Sequence, residues 1–413
     1  MDKLWDVVVI GGGPAGMMAA GRAAECGRLV VLLEKNPSRG KKLLISGGGR
    51  CNFTNNKPDV RVMLAQYKVA GKFLFSAFSQ WGVSDTIDFF RERGMAVKEE
   101  AEGRMFPVSD QSQSVFDVLD RYVKDGHVEI RENAEVIGLA PDAETGHIIV
   151  CLKDGPAMTA QSCILATGGM SHPETGSTGE GFVWLRKLGH TINDTDASLV
   201  PIALRDPWVK KLSGVTLTDI KLTVFQGEEK KFSRLGKLLF THVGVSGPTV
   251  LNMSKDIGGF LKEGEVWILL DLFPHLDHGA LKGELQTRLT EESNKLLRNT
   301  LARMVPATLA SILLELAGID ADTVNRTVSG EMRAKIISLM KAVPLRVKGL
   351  LGEDKAIVTS GGVALEEVNF KTMESRIVPH LFLVGDVLDI NRPSGGYSLQ
   401  LCWTTGFVAG SHS

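Results

Sequence analysis

The sequence predicts an α/β protein, a Rossmann-like dinucleotide-binding domain interrupted by an insert that is first β-rich and then helical. Three observations predict it. A Val-rich run, LWDVVVI, is followed at once by GGGPAG and then by a helical stretch of small residues. Glycine makes up 45 of 413 residues and gathers in clusters, GGGPAG, SGGGRCN, ATGG and SGGYS, as expected where backbone presses against a ligand. Between these clusters lies a long stretch whose hydrophobic spacing changes from alternation to the helical period.

A chain of this length holds two or three domains and ample core. Its 47 Lys and Arg against 48 Asp and Glu give a formal charge of -1, so the overall balance draws it to neither nucleic acid nor an anionic membrane. The 43% hydrophobic and 23% charged residues fit a globular protein, and no apolar run approaches the roughly 20 residues of a bilayer span. Five cysteines, Cys26, Cys51, Cys151, Cys163 and Cys402, are an odd number without paired or zinc-like spacing, which predicts free thiols in a reducing compartment, read here as cytoplasm. The N-terminus enters the first apolar run directly, without the flank and cleavage site of a signal peptide.

The run 4–10 reads as a strand buried on both faces, and the stretch from Pro14 to Cys26 as the helix after it. Gly11 permits the turn between them, Gly13 lets backbone approach a pyrophosphate, and Gly16 lets helix and strand pack closely. Pro14 and Ala15 then open the helix, whose N-terminus faces phosphate charge. A second strand at 29–33 ends at Glu34, eighteen residues after Gly16, near the distance expected for the acid that binds an adenosine ribose. An acid there favours an unphosphorylated ribose, as in FAD or NAD, and the motif alone does not choose between them.

Further strands are expected at 162–166, leading into Thr167-Gly168-Gly169, and at 381–384, leading into Gly385-Asp386. Both would deliver loops to the C-terminal edge of an open sheet, where ligands sit. Arg392-Pro393-Ser394-Gly395-Gly396-Tyr397 precedes an apolar stretch through Val408 that reads as a helix with Ser394 as its cap. A helix N-terminus there would stabilise the negative charge that a flavin gains on reduction.

The string KKLLISGGGRCNFTN at 41–55 resembles a signature of the aminoacetone oxidase-like FAD-binding flavoproteins, a bacterial group that also includes oxo-bile-acid reductases. The resemblance extends to ILATGG, THVGVSGP, TSGGV and the region 385–397, and so spans essentially the whole chain. It implies a glutathione-reductase-type FAD domain split by a large insert. It also implies that Asp386 binds the ribityl or pyrophosphate region, that Gly396 and Tyr397 lie by the flavin ring, and that the turn Ser46-Gly47-Gly48-Gly49 with Arg50, Cys51 and Asn52 approaches the flavin side. Where the common form of the string carries an Arg, this chain has Lys41 or Lys42, an ammonium in place of a bidentate guanidinium. The expected cofactor set is completed by Lys35, Lys42, Thr167, Gly168, Gly385 and Gly395.

The chain then divides into a first part of the cofactor domain at 1–193, a β-rich insert at 194–274, a helical part of the insert at 275–353, and the second part of the cofactor domain at 354–413. Alternations such as IKLTVF and VWILLDL carry the first half of the insert, and LKGELQTRL and LASILLELAG the second, with Gly318 as a stop. The substrate is expected between insert and flavin. Arg50, Tyr397, His172 and His242 are the catalytic candidates: Arg50 as an anion holder, Tyr397 as proton donor or ring wall, the histidines as general acids. Cys51 has no partner at C-x-x-C spacing and reads as a packed thiol, and His275 with His278 makes a poor metal site, so no metal is expected.

No second strand-GxGxxG-helix appears; GEGFVWLRKLG lacks the third Gly. NAD(P)H is therefore expected only as a transient electron donor, if it serves at all. The main reading is an FAD-dependent oxidoreductase moving hydride between flavin N5 and a small organic molecule, without nucleic-acid or membrane partners. Its alternatives are an NAD(P)H-dependent reductase of an unsaturated or oxo compound and a non-enzymatic flavin-binding redox sensor. A role on RNA ranks below these because the net charge offers no electrostatic footprint.

Overall fold

A computed structural model describes residues 3–57, 59–198, 200–351 and 358–413. The chain forms two compact units, one from Met1–Ser198 with Glu353–Ser413 and the other from Leu199–Gly352, each with its own hydrophobic core. The expected division at 353/354 falls outside the described residues. The strand Ile192–Ser198 runs across the expected division at 193/194 and pairs antiparallel with Val358–Val363 within the first unit.

In the first unit, β1 (Leu4–Ile10), α1 (Pro14–Glu25) and β2 (Val30–Leu33) follow in the predicted order. The strands Leu4–Ile10, Val30–Leu33, Glu129–Arg131, Met158–Leu165 and Leu381–Leu383 pair in parallel. Ile148–Leu152 and Val136–Pro141 extend the sheet antiparallel. Ile10 lies in register with both Leu33 and Leu165, and Leu165 with Leu383. Four strands therefore end on one line, and the loops after them, carrying Gly11, Glu34, Thr167 and Gly385, emerge together. The β1 residues from Val7 to Ile10 are all buried, as a strand covered on both faces requires.

The last helix, Tyr397–His412, packs on α1 through small residues. A Cβ on Gly406 would lie 2.5 Å from the Ala15 carbonyl oxygen, and one on Gly410 would lie 2.4 Å from that of Ala19. Approaches that advance four residues on each helix mean that the two run parallel. Tyr397 stands nine residues before Gly406 and Pro14 one before Ala15, so at ~1.5 Å per residue the last helix begins about 12 Å further out than α1. This helix starts at Tyr397 with Gly396 as its N-cap, in place of the expected Ser394, because the left-handed turn at Gly396 (φ +96°) sets the chain direction.

The insert's strands close into a barrel, ordered Ile202–Leu204, Gly244–Ser246, Glu229–Phe240, Thr216–Gln226, Val266–Asp271 and Val343–Leu350. The expected helical half holds helices His278–Glu291, Leu297–Leu301, Ala307–Ala317 and Gly330–Lys341, with Gly318 left-handed at the stop (φ +66°). It also contributes the closing strand Val343–Leu350, which pairs with both Ile202–Leu204 and Val266–Asp271. No described helix is long and apolar enough to cross a membrane.

Candidate functional site

The loops from the common sheet edge line one crevice of the first unit. Of the residues expected from the sequence, Gly11, Gly13, Pro14, Ala15, Glu34, Lys35, Lys42, Thr167, Gly168 and Asp386 face it. Gly11 turns with φ +108°, and a Cβ there would meet the Ala166 carbonyl oxygen at 2.5 Å. A Cβ on Gly16 would lie 1.9 Å from the Gly11 carbonyl oxygen, while one on Gly13 would meet nothing within 4 Å. Only Gly13 keeps open space on its ligand side. Neither Gly13 nor Gly396 offers a side-chain cap, so the first N–H groups of α1 and of the last helix remain available to an anion.

Glu34 is buried at the end of β2. Its Oε2 accepts from Gly12 N–H (2.9 Å), and its Oε1 accepts from the Asn36 backbone N–H (2.8 Å) and side-chain amide (2.7 Å). A carboxylate has about four acceptor positions, so one on Oε2 remains for a hydroxyl. Lys42 donates to Ser171 O (2.7 Å), Ser171 Oγ (3.2 Å) and Ser177 Oγ (2.7 Å), which uses its three hydrogens on neutral oxygens; burial pushes its pKa down, and Asp386 opposes that. Lys35 donates to Glu180 (2.7 Å) and Thr178 (2.8 Å). Both lysines tie the loop after Gly168 to the rest of the unit. Asp386 is paired with Arg392, whose guanidinium also donates to Ile390 O (2.7 Å) and Ser398 Oγ (3.0 Å).

A second cluster joins the turn at 46–52 to the start of the last helix. Gly47, Gly48 and Gly49 all have positive φ, as does Cys51, and Cβ atoms on Gly48 and Gly49 would meet nothing within 4 Å. Ser46 Oγ donates to Lys42 O (2.9 Å) and Ser46 O accepts from Cys51 N–H (3.0 Å). A Cβ on Gly396 would lie 2.4 Å from Thr54 O and 3.0 Å from Asn52 Oδ1, and Asn55 Nδ2 donates to Gly395 O (3.0 Å). Tyr397 is buried, its ring edge-on to Tyr67 at 6.2 Å, and burial pushes its hydroxyl up to about 12. Cys51 is fully buried, and burial pushes its thiol up to about 12.

The catalytic candidates are scattered. Arg50 stacks over Phe106 at 4.3 Å and is paired with Glu100 and with Asp110 (2.9 Å). His172 holds Glu174 at 2.8 Å in a left-handed position on the loop after Gly168. His242 belongs to the other unit, exposed at a cleft of the barrel. Among the described residues no three His, Cys, Asp or Glu side chains are grouped to hold a metal.

Three features of the first unit fit FAD. Two buried oxygens, Asn52 Oδ1 beside Gly396 and Thr167 Oγ1 close to Gly181 at the edge of the crevice, have no hydrogen-bond partner, and such groups are costly unless a ligand satisfies them. Two parallel helix N-termini, offset by about 12 Å, suit a ligand with a pyrophosphate and a distant ring that takes negative charge. Glu34 keeps an acceptor position where a ribose would lie. Sequence reasoning missed Asn36, Ser171, Ser177 and Asn55, polar side chains inside loops whose glycines alone gave a signal. Arg392 stood within the string before the last helix, yet no spacing tied it to Asp386.

The HI0933-like protein Rossmann domain matches residues 5–412. A ribosomal RNA dihydrouridine synthase of Escherichia coli (strain K12) is 32% identical over 407 residues, covering 98% of this chain and 96% of that protein. A 3-dehydro-bile acid delta(4,6)-reductase of Clostridium scindens is 31% identical, covering 97% of each. The fold is similar to that of 3-ketosteroid-delta4-(5alpha)-dehydrogenase from Rhodococcus jostii RHA1, with a TM-score of 0.57 at 15% identity over 100% of this chain and 97% of that one. With its match running nearly end to end, the chain belongs to the HI0933-like Rossmann family of FAD-dependent oxidoreductases.

Proposed function

We propose that this protein is an FAD-dependent reductase that saturates a carbon–carbon double bond conjugated to a carbonyl, with NAD(P)H docking transiently as electron donor. One observation carries the reading. Two full-length relatives above 30% identity are named for making dihydrouridine and for reducing the delta(4,6) bonds of a 3-dehydro bile acid. The double bond of the uracil ring and those of the oxo bile acid are each conjugated to a carbonyl. Such a bond accepts hydride at its β-carbon, since the carbonyl oxygen takes up the displaced electron pair, and then needs a proton at its α-carbon. Bound FAD supplies two-electron chemistry through N5.

The chain's own residues supply charge and proton control. The uncapped N-terminus at Tyr397 stabilises negative charge on the cofactor ring. The Tyr397 hydroxyl, held up to about 12 by burial, stays protonated at neutral pH and serves as the proton source. A Tyr397→Phe variant should retain FAD and lose about 10²-fold in the rate of enone reduction, read by stopped-flow absorbance.

The deciding experiment mixes the anaerobically reduced holoprotein with cyclohexenone, a steroid 4-en-3-one, cyclohexanone or cyclohexene. Rapid return of the yellow flavin absorbance with the conjugated ketones alone is expected. Failure of every conjugated carbonyl, together with bleaching of the oxidised protein by amines and release of peroxide, would overturn the reading in favour of an amine oxidase.

A further inference from the structure

The near-neutral total charge hides a division. Residues 199–352 carry 21 Lys and Arg against 16 Asp and Glu, whereas the rest of the chain carries 26 against 32. The barrel unit is thus net basic and the cofactor unit net acidic. Charge asymmetry between parts of a chain points to a polyanionic partner for the basic part.

The barrel also has a place for that charge to act. A cleft of about 570 Å³ opens beside the strands Ile202–Leu204 and Val343–Leu350, and the cations Arg205, Lys210 and Lys348 stand around it with His242, all four exposed. Among the described residues Lys210 and Lys348 have no ion pair, and Arg205 has only a loose one to exposed Glu265 at 3.4 Å. The cleft's one carboxylate, Asp206, is buried and already spent on the Arg346 guanidinium (2.9 Å) and backbone N–H (2.6 Å). Among the described residues that line the cleft, no other carboxylate opposes an incoming anion. Arg205 and Lys348 also line a neighbouring hollow beside Leu204, so the cations border an open mouth that can follow successive phosphates of a strand.

We infer that this cleft of the barrel docks the phosphodiester backbone of single-stranded RNA, bringing a uracil-containing substrate to the enzyme. The inference rests on the proposed double-bond reductase reading and narrows its substrate to a base within RNA. It assigns Arg205, Lys210 and Lys348 to the RNA backbone, with no part in the reduction step.

The test uses the FAD-loaded full chain and a fluorescein-labelled single-stranded RNA of about 16 nucleotides, at the upper end of the site sizes of single-strand grooves, followed by anisotropy across a salt series. The wild type should bind with an affinity that falls as salt rises. A Lys210→Glu/Lys348→Glu variant should bind more than tenfold more weakly, with the log–log salt slope flatter by ~1.4, or about 0.7 for each phosphate no longer neutralised. Both lysines are exposed, so FAD content, thermal midpoint and cyclohexenone reduction should be unchanged. Absence of RNA binding at low salt, variant binding equal to wild type, or equally charge-dependent binding to anionic lipid vesicles would each overturn the inference. Enone reduction by the same preparation separates the two claims: if it persists without RNA binding, only the docking surface fails, and if no conjugated carbonyl is reduced, the underlying reading fails.

Discussion

Thr167 Oγ1 lies buried with no hydrogen-bond partner, close to Gly181 at the edge of the crevice. Replacing Thr167 with Val keeps the shape and removes the stranded oxygen. The FAD-free protein should then be as stable as before or more so, while FAD affinity drops by no more than about fivefold, the value of ~1 kcal/mol for one hydrogen bond, because the oxygen lies close to Gly181. Melting of the apoprotein and a fluorescence titration with FAD check the two signs. Ser375, His190 and Glu367 teach the opposite lesson. Their contacts of 2.9 Å on either side of the imidazole copy the connectivity of a hydrolase triad. Yet Ser375 is buried and its Oγ already accepts from the Ile377 (3.1 Å) and Val378 (2.8 Å) N–H groups, so the trio pins a loop. Glycine was the legible residue at this scale, because a required turn or close approach leaves few substitutes. The polar residues between the glycines were not, since nothing in local spacing says where Asn52 or Thr167 points.

At the level of elements, the strand–turn–helix at the N-terminus was readable because its pattern is contiguous, and the observed strands and helices lie within a few residues of those expected. The barrel was not readable as a barrel. Closing it takes the pairing of Ile202–Leu204 with Val343–Leu350, partners separated by five α-helices, and alternation in a strand does not name its neighbour. The packing of α1 on the last helix likewise depends on Gly406 and Gly410 lying against residues far away in the chain. Gly410→Ala should force the helices apart, since the new methyl would meet the Ala19 backbone at 2.4 Å. A cost of about 1–3 kcal/mol would appear as a thermal midpoint lower by several degrees, and FAD binding should weaken with it. By the same geometry an acid placed at Gly396, attractive as a probe of flavin potential, would instead strike Thr54 O and break the turn.

For the whole molecule, ionisation sets an alkaline limit on stability. Burial pushes the thiols of Cys51, Cys163 and Cys402, and the hydroxyl of Tyr397, each up to about 12. A group whose folded pKa exceeds its unfolded value stabilises fully below the unfolded value and loses that contribution as pH rises through the folded one. For the thiols this window opens near pH ~8.5. Urea midpoints should therefore hold up to about that pH and then fall steadily toward pH ~12, whereas a midpoint rising over this range would contradict the burial of these groups. The overall charge of -1 was a poor guide to partners because a total cannot show how charge is distributed; only the boundary of the insert revealed an acidic and a basic unit. That boundary bears on biogenesis as well. The insert is one uninterrupted stretch with its own core, whereas the FAD unit needs both the segment before it and the helix Tyr397–His412 after it. On the ribosome the insert can fold while the first half of the cofactor unit still waits for its last helix, so cofactor capture belongs after that helix has been made, and until then the half-built sheet is exposed to chaperones and proteases.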